Sequence, residues 1–295
     1  MHDPSDTPSP PAAAAGAHVE LDAGLLARHV EGWLGEYYDV PIVTVVGDAV
    51  AVPEGKALVR AREAAFAGGV DPARIVPLEI AALPWLQVPA GGLVLWRTHG
   101  EQAEQVTDLA PGDPAVQVVH AHDGWQLVRC ADGAQGWVAD ADLAAAAPGS
   151  EPDLGSPGDL APAALLAAAL ELDATPYLWG GTTAAGLDCS GLIQRAAWTA
   201  AATWLPRHST ALLRVGQRIA PGERMVGDIV VLRRRPEHRR PGMRGTSHVA
   251  LVASPEDFLH ASPEAGRVLL EPAPAVLERY QLLGVRRTGA AGPAR

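Results

Sequence analysis

The chain has 295 residues, of which 48% are hydrophobic, so it exceeds the roughly 100–200 residues of one typical domain and has apolar material for more than one core. Its formal net charge of −11 argues against general nucleic-acid binding, which needs a basic face to displace counterions from phosphate. No stretch reaches the roughly 20 uninterrupted apolar residues of a membrane span, so neither nucleic acid nor a membrane is an expected partner.

The N-terminal residues 1–18 are rich in Pro, Ala and Ser without periodicity, which predicts a disordered tail. They contain no basic start followed by large apolar residues, so we expect no secretory signal and a cytoplasmic protein.

Residues 19–85 have a mixed pattern and are interpreted as a small module of unknown type. Apolar residues between Leu21 and Trp33 recur near helical spacing, Ile42 to Val52 is typical of a strand, and Leu58 to Phe66 predicts a second helix.

Short strands cut by Gly, Pro and Asp follow in residues 86–147: LVLWRT, AVQVVHAH, WQLVRC and GWVAD. The Asp132-Gly133 pair supplies a tight hairpin turn, and Trp125 and Trp137 supply large apolar contacts. DGWQLVRCADGAQGWVADADL resembles the end of a bacterial SH3-like (SH3b) domain, which implies a small all-β barrel. Cys130, on one of these strands, is interpreted as a structural side chain.

A linker rich in Pro, Gly, Ser and Asp, residues 148–161, separates this region from residues 162–288. The second region begins with an Ala/Leu helix from about Pro162 to Leu172 and a helix from Cys189 to about Trp204. Strands are then predicted near 228–234, 247–254, 257–262 and 266–271. A helix followed by consecutive antiparallel strands is an α+β arrangement.

The segment LDCSGLIQ, residues 187–194, carries the most specific chemical signal. Asp188 is a favourable N-cap, which places Cys189 in the first turn of the helix. The backbone N–H groups and dipole there are expected to lower the thiol pKa, whereas the Asp188 charge opposes this and calls for a cationic neighbour such as histidine. The second cysteine, Cys130, lies in very different surroundings, so a free thiol is a better interpretation than a disulfide.

Two histidines lie on predicted apolar strands, His248 in SHVALVAS and His260 in FLHAS. The short segment between these strands predicts a hairpin turn, which would make them neighbours. Adjacent antiparallel strands would bring the two side chains within cross-strand or diagonal reach, so that one acts as base and the other orients it.

The ordered motifs PYLWGGTTAAGLDCSGLIQ, LPRHS, GDIVVL, SHVALV and FLHAS resemble those of NlpC/P60 cysteine peptidases over about residues 162–288. The resemblance implies a papain-like α+β domain without a metal or other cofactor. It implies Cys189 as nucleophile, His248 as general base, His260 as the polar third residue and Tyr177 at the oxyanion site. It further implies these contacts to substrate: Asp188, Ser190, Trp179, Arg207, His208, Ser209 and Ser247.

SH3b-containing relatives imply hydrolysis of the bond between γ-D-glutamate and meso-diaminopimelate or L-lysine in murein peptides such as L-Ala-γ-D-Glu-diamino acid, in peptidoglycan recycling. Such relatives are expected to have a pocket-closing tyrosine in the last barrel turn, where this chain has Ala134. The pocket is then either more open or completed by other residues such as Glu104 or Trp96.

Two alternatives remain at this point: a non-catalytic module that binds wall peptides, and a thiol acyltransferase or amidase acting on another amide. The arginine-rich segment 233–245 is either a solvated insertion or a cationic lip that attracts substrate carboxylates.

Overall fold

The computed structural model describes residues 21–35, 43–46, 48–52, 56–78, 83–99, 103–239 and 246–289. The predicted tail, residues 1–18, and residues 240–245 of the arginine-rich segment lie outside the described residues. The chain divides into two compact units, Met1–Ala82 and Leu83–Arg295.

The first unit combines two helices with a three-stranded sheet in which β1 pairs with β2 antiparallel and β2 pairs with β3 in parallel. Its core is formed by apolar residues of both helices and of the sheet, including Leu26, Val30, Ala61, Val50 and Ile75. Both predicted helices are confirmed, but the strand predicted from Ile42 to Val52 is a hairpin within the described residues. The elements are α1 (Ala23–Gly35), β1 (Thr44–Val46), β2 (Ala49–Val52), α2 (Lys56–Ala67) and β3 (Ile75–Pro77).

The second unit begins with a six-stranded antiparallel sheet in the order β4-β7-β8-β9-β5-β6. Gly133 has a φ of 88° in the β8–β9 turn, a conformation that the Asp-Gly pair favours. The sheet is open, with β4 and β6 at its edges, so the described strands do not show the barrel closure that was expected. The strands are β4 (Trp85–Leu86), β5 (Leu93–Trp96), β6 (Gln105–Leu109), β7 (Val116–His122), β8 (Trp125–Cys130) and β9 (Gln135–Ala139), followed by α3 (Asp140–Leu143).

The rest of this unit has the predicted α+β arrangement, with helices followed by an antiparallel sheet in the order β12-β17-β13-β14-β15-β16. Its first elements are α4 (Pro162–Leu170), β10 (Thr182–Thr183), β11 (Gly186–Leu187), α5 (Cys189–Ala201) and β12 (Gln217–Ile219). They are followed by β13 (Ile229–Arg234), β14 (Ser247–Val252), β15 (Asp257–Ser262), β16 (Arg267–Pro272), α6 (Ala273–Arg279) and β17 (Tyr280–Arg287).

Helix α5 lies against the sheet because its apolar stripe recurs at helical spacing. Leu192 and Ile193 are fully buried in the same cluster as Val249 and Leu259 of the sheet. The helix ends before the predicted Trp204, since Ala202 adopts a left-handed conformation with a φ of 46°.

Buried polar contacts join the six-stranded sheet of β4–β9 to the helix α5 region. The Asp108 carboxylate on β6 accepts a hydrogen bond from the Thr182 N–H at 2.5 Å. Arg195 on α5 makes a bidentate pair with the buried Asp113 at 2.7 and 2.6 Å. The turn residue Asp132 accepts hydrogen bonds from Gln194 on α5 and from the Trp204 indole. These contacts fix the position of the sheet beside the start of α5.

Candidate active site

Cys189 begins helix α5 as predicted, with Asp188 as its N-cap. Asp188 has extended backbone angles, φ −88° and ψ 178°, and its carboxylate accepts the Gly191 N–H at 2.7 Å. The cap satisfies one of the backbone donors that have no partner within the first helical turn. The arrangement places the Cys189 side chain at the positive end of the helix.

Gly191 permits a close approach between the helix and the loop before it. A Cβ atom at this position would lie 1.9 Å from the Gly181 carbonyl oxygen, a distance that no side chain could tolerate. The glycine of the DCSG motif is therefore required for packing, because the loop that carries Tyr177 and Trp179 passes directly over it.

The resting thiol does not have the lowered pKa that the helix position predicts. Burial, and then the neighbouring Asp188 carboxylate, raise the pKa of Cys189 to about 12. Backbone hydrogen bonds from Val249 and Ser190, together with the Arg207 charge, act in the opposite direction but do not outweigh burial. The expectation that the helix start lowers the thiol pKa is therefore wrong, and the thiol needs a base to take its proton.

His248 and His260 are in direct contact, as their strands predicted. The His248 Nε2 atom lies 2.7 Å from the His260 Nδ1 atom, and the two rings meet edge to face. The other face of the His248 ring stacks on Tyr280 with centroids 4.7 Å apart. Burial lowers the pKa of both histidines, so both rings are neutral near pH 7. His248 is therefore a neutral base held in a fixed orientation.

Tyr177 stands beside Cys189 on the loop that precedes β10. Its backbone N–H donates to the Gly266 carbonyl at 2.8 Å. Burial, and then the proximity of Cys189, raise the pKa of the Tyr177 phenol above its usual value. The hydroxyl therefore keeps its proton and remains available as a donor.

Asp188 is held by a dense set of donors around its carboxylate. Arg207 forms a bidentate salt bridge with it at 2.9 and 2.6 Å, and its Nε–H donates to the Thr107 hydroxyl of β6 at 3.0 Å. Ser190 and the backbone N–H of Gly180 also donate to this carboxylate. Arg207 thus neutralises the Asp188 charge beside the thiol and ties the start of α5 to β6.

A cavity of about 640 Å³ contains the reacting groups. Most residues expected at the site line it, although His260 is fully buried behind His248 and Glu104 does not line the cavity. The Ser209 hydroxyl donates to the Ser247 hydroxyl at 2.8 Å on the same wall. The expected residues that line the cavity are Tyr177, Trp179, Asp188, Cys189, Ser190, Arg207, His208, Ser209, Ser247 and His248.

The residue that follows β5 and residues of β6, rather than the β8–β9 turn, complete the opposite wall. Arg97, Gln105 and Val106 line the cavity, whereas Ala134 is buried in the core of the β4–β9 sheet. Glu104 contributes indirectly, because its carboxylate lies 3.6 Å from the Arg97 guanidinium.

Further cavity residues were not singled out from the sequence, and one of them belongs to the arginine-rich segment. Arg234 lies over the Tyr280 ring, 4.4 Å from its centroid, and hydrogen-bonds to Glu264 and to the Tyr280 hydroxyl. Glu264, Tyr280 and Pro263 line the cavity with it. Arg234 could have been identified from its place at the end of a predicted strand, two positions after Leu232, which pairs with His248.

Within the part of the chain that the structure describes, no group of three or more His, Cys, Asp or Glu side chains has an arrangement suited to a metal ion. In the same residues, no helix is both long and apolar enough to cross a bilayer.

Comparison with known proteins identifies the region that carries this site. Residues 174–287 match the NlpC/P60 family, so the chain contains an NlpC/P60 cysteine-peptidase-like domain. A γ-DL-glutamyl hydrolase of Bacillus subtilis is 30% identical over 113 residues, which are 38% of this chain and 26% of that protein. The murein DD-endopeptidase MepS/murein LD-carboxypeptidase of Escherichia coli K12 is 30% identical over 93 residues, 32% of this chain and 45% of the relative. These alignments span less than two thirds of either relative.

Solved structures of this family are also similar. An NlpC/P60 family protein of Bacillus cereus is 19% identical with a TM-score of 0.37, covering 71% of this chain and 65% of the other. The peptidoglycan hydrolase RipB of Mycobacterium tuberculosis is 26% identical with a TM-score of 0.34, covering 43% of this chain and 63% of the other.

Proposed function

Starting from the NlpC/P60 domain at residues 174–287, we propose that this protein is a cysteine peptidase that hydrolyses peptides of the bacterial cell wall. Cys189 is the nucleophile, His248 the general base and His260 its orienting partner. The observation that carries the proposal is that His248 lines the same cavity as Cys189 and lies 2.7 Å from the buried His260. A nucleophile, a base and a group that orients the base are the minimum set for thiol acyl transfer.

The reaction follows from the protonation states of these groups. His248 takes the thiol proton as the Cys189 sulfur attacks the carbonyl carbon of the scissile amide. The oxyanion accepts hydrogen bonds from the Cys189 N–H and the Tyr177 hydroxyl, each of which contributes about 3 kcal/mol if well aligned. His248 then gives its proton to the leaving amine, and the amine departs as the thioester forms.

Hydrolysis of the thioester reuses the same base. A water molecule attacks the thioester carbon while His248 accepts its proton, and the carboxylic acid product leaves as the proton returns to the Cys189 sulfur. The imidazole ends the cycle neutral, so no group outside the site needs to supply a proton.

The specific substrate that we propose is a short murein peptide, cleaved between γ-D-glutamate and a diamino acid. A cavity of about 640 Å³ is within the usual range of sites for small ligands and suits a short peptide rather than a crosslinked polymer. The guanidinium groups of Arg97, Arg207 and Arg234 line it, each paired with a carboxylate of Glu104, Asp188 or Glu264, so the cavity presents charges of both signs to the carboxylates and amines of such a peptide. Substrate contacts with Trp179, His208 and Ser209 belong to the same proposal.

If the substrates are short fragments, the protein has a role in the recycling of peptidoglycan. Fragments released during wall turnover and taken back into the cell present the same γ-D-glutamyl bond, so the protein would act on them in the cytoplasm. We further propose that the β4–β9 sheet is an SH3b-type module whose strands β5 and β6 close the substrate cavity.

Mass spectrometry of L-Ala-γ-D-Glu-meso-diaminopimelate after incubation with the protein tests this proposal. The wild type is expected to release diaminopimelate, and the Cys189→Ala variant is expected to release none. Comparison with the N-acetylated peptide reports whether cleavage requires a free N-terminal amine. If neither peptide is cleaved by the wild type, the proposed bond specificity is wrong.

A further inference from the structure

A carboxylate and an arginine lie behind the two histidines. The His260 Nε2 atom lies 3.0 Å from the Oε2 atom of Glu271 on β16. Arg279, the last residue of α6, donates to both oxygens of that carboxylate at 2.8 and 2.7 Å. The hydrogen-bonded line therefore runs from His248 through His260 and Glu271 to Arg279.

The strand register explains why Glu271 reaches His260. In the β15–β16 pair, His260 lies opposite Leu269 and Phe258 lies opposite Glu271. Residues two positions apart on a strand share a face, so Glu271 is the diagonal neighbour of His260. Arg279 approaches the carboxylate from the helix that follows directly after β16.

The Glu271 carboxylate determines the direction of the hydrogen bonds between it and the two histidines. An ionised carboxylate can only accept, so the proton of neutral His260 lies on Nε2 and its Nδ1 atom carries a lone pair. That lone pair accepts the proton on His248 Nε2, which leaves the lone pair of His248 on Nδ1. The Nδ1 lone pair is the one needed to accept the Cys189 proton.

We infer that Glu271, held by Arg279, is a positioning residue that sets the tautomers of His260 and His248 and so keeps the base ready to accept the thiol proton. The inference rests on the proposed roles of Cys189 and His248, and adds to them a residue that contacts neither the substrate nor the thiol.

The other charged groups around the histidines do not replace Glu271. Glu264 acts on His260 through its field and hydrogen-bonds to Arg234 and to Ser262. Arg234 and Arg279 act on His248 by disfavouring its charged form. Among the described contacts of the two rings, the Glu271 carboxylate is the acceptor for the outer nitrogen of His260.

Two substitutions of Glu271 separate a role in tautomer control from a role in packing. In Glu271→Gln, the single carbonyl oxygen is attracted by Arg279, so the amide N–H group faces His260 Nε2. That donor requires a lone pair on His260 Nε2, so the His260 proton moves to Nδ1. His260 Nδ1 then donates to His248 Nε2, which leaves the His248 proton on Nδ1. In Glu271→Ala no donor is introduced, and water can still accept the His260 proton.

The experiment is the second-order rate of Cys189 alkylation by iodoacetamide at pH 7, followed by peptide mass spectrometry. Glu271→Gln is expected to lower this rate by at least ~10-fold, within the range that a correctly protonated base contributes, whereas Glu271→Ala lowers it less. Asp228→Asn is the matched control, because it removes a bidentate carboxylate partner of Arg287 at 2.7 and 2.7 Å and leaves the histidines untouched. Its alkylation rate should equal that of the wild type.

The order of the two rates decides the inference. The inference would be overturned if Glu271→Ala lowered the alkylation rate more than Glu271→Gln, because a packing role makes the smaller side chain the more damaging one. Equal rates in Glu271→Gln and wild type would also overturn it. The readout needs no substrate. If the wild type cleaves no wall peptide and the order of rates still holds, the proposed substrate fails and the positioning role stands.

Discussion

At the residue scale, burial shifts the pKa values of both reacting side chains. It raises the pKa of the Cys189 thiol to about 12 and lowers that of the His248 imidazole, so a thiol and a neutral base face the cavity at neutral pH. Proton transfer must then accompany attack, and the orientation of the imidazole becomes as important as its basicity.

The lowered pKa of His248 predicts that activity persists to a lower pH than it would with an ordinary histidine base. A base with an ordinary pKa loses activity as the pH falls through about 6.5, whereas His248 stays neutral until the pH reaches its lower value. We expect kcat/KM for a wall tripeptide to remain constant as the pH falls through 6.5 and to decline only below it. A decline centred at or above pH 6.5, with the protein still folded by circular dichroism, would contradict the buried neutral base.

Tyr177→Phe tests the oxyanion role, because it removes a single oxygen from a side chain that keeps its proton. Loss of one oxyanion donor typically lowers kcat by roughly 10²–10³-fold. Steady-state kinetics should therefore show a fall in kcat with little change in KM, while the midpoint of thermal unfolding stays close to that of the wild type. An unchanged kcat would remove Tyr177 from the mechanism.

At the scale of secondary structure, the helix and strands that carry Cys189, His248 and His260 could be predicted because their patterns are local. The N-cap at Asp188 and the apolar stripe after it were enough to begin α5 at the correct residue. The final strand β17, Tyr280–Arg287, was not predicted, although it pairs with β13 near the centre of the sheet. Its sequence YQLLGVRR shows weak alternation, and its position depends on long-range pairing.

Residues whose roles depend on register were missed for the same reason. Glu271 becomes a partner of His260 only after β15 and β16 are aligned, and Arg279 only after α6 folds back on β16. The thiol pKa was predicted in the wrong direction, because the helix terminus is visible in the sequence but the burial of Cys189 is not.

Arg207→Ala tests the link between α5 and β6. The substitution leaves the buried Asp188 charge without its partner and removes the donor to Thr107, so the free energy of unfolding should fall by roughly 3–5 kcal/mol. Urea unfolding measures this. Arg97→Ala is the matched control: its partner Glu104 lies 3.6 Å away at a more exposed position, so it should cost less than ~1 kcal/mol. Equal losses in the two variants would refute a special role for the buried pair.

On the scale of the whole molecule, residues 83–295 form one compact unit although they contain two six-stranded sheets. Buried polar contacts at Asp108, Asp113 and Asp132 join the β4–β9 sheet to β10, to helix α5 and to Trp204, and Trp204 packs into the core of this sheet. Separation would leave buried donors without acceptors and expose a large aromatic ring, both of which are unfavourable.

A fragment of residues 162–295 is therefore expected to be less stable than a fragment of residues 83–295. Urea unfolding of the longer fragment should show a single transition, with the tryptophan fluorescence and the far-ultraviolet circular dichroism changing together. Two separate transitions in the longer fragment, or equal midpoints for both fragments, would show that the two sheets are independent.

Activation of Cys189 by His248 can be tested directly, because the chain contains an internal reference thiol. Cys130 is a second free cysteine whose pKa burial also raises, and it lies in the core of the β4–β9 sheet. Peptide mass spectrometry after brief iodoacetamide treatment at pH 7 compares the two thiols in the same native sample. We predict alkylation of Cys189 but not of Cys130 in the wild type, and loss of the Cys189 label in folded His248→Ala. Equal labelling of the two thiols, or labelling of Cys189 that persists without His248, would contradict the account.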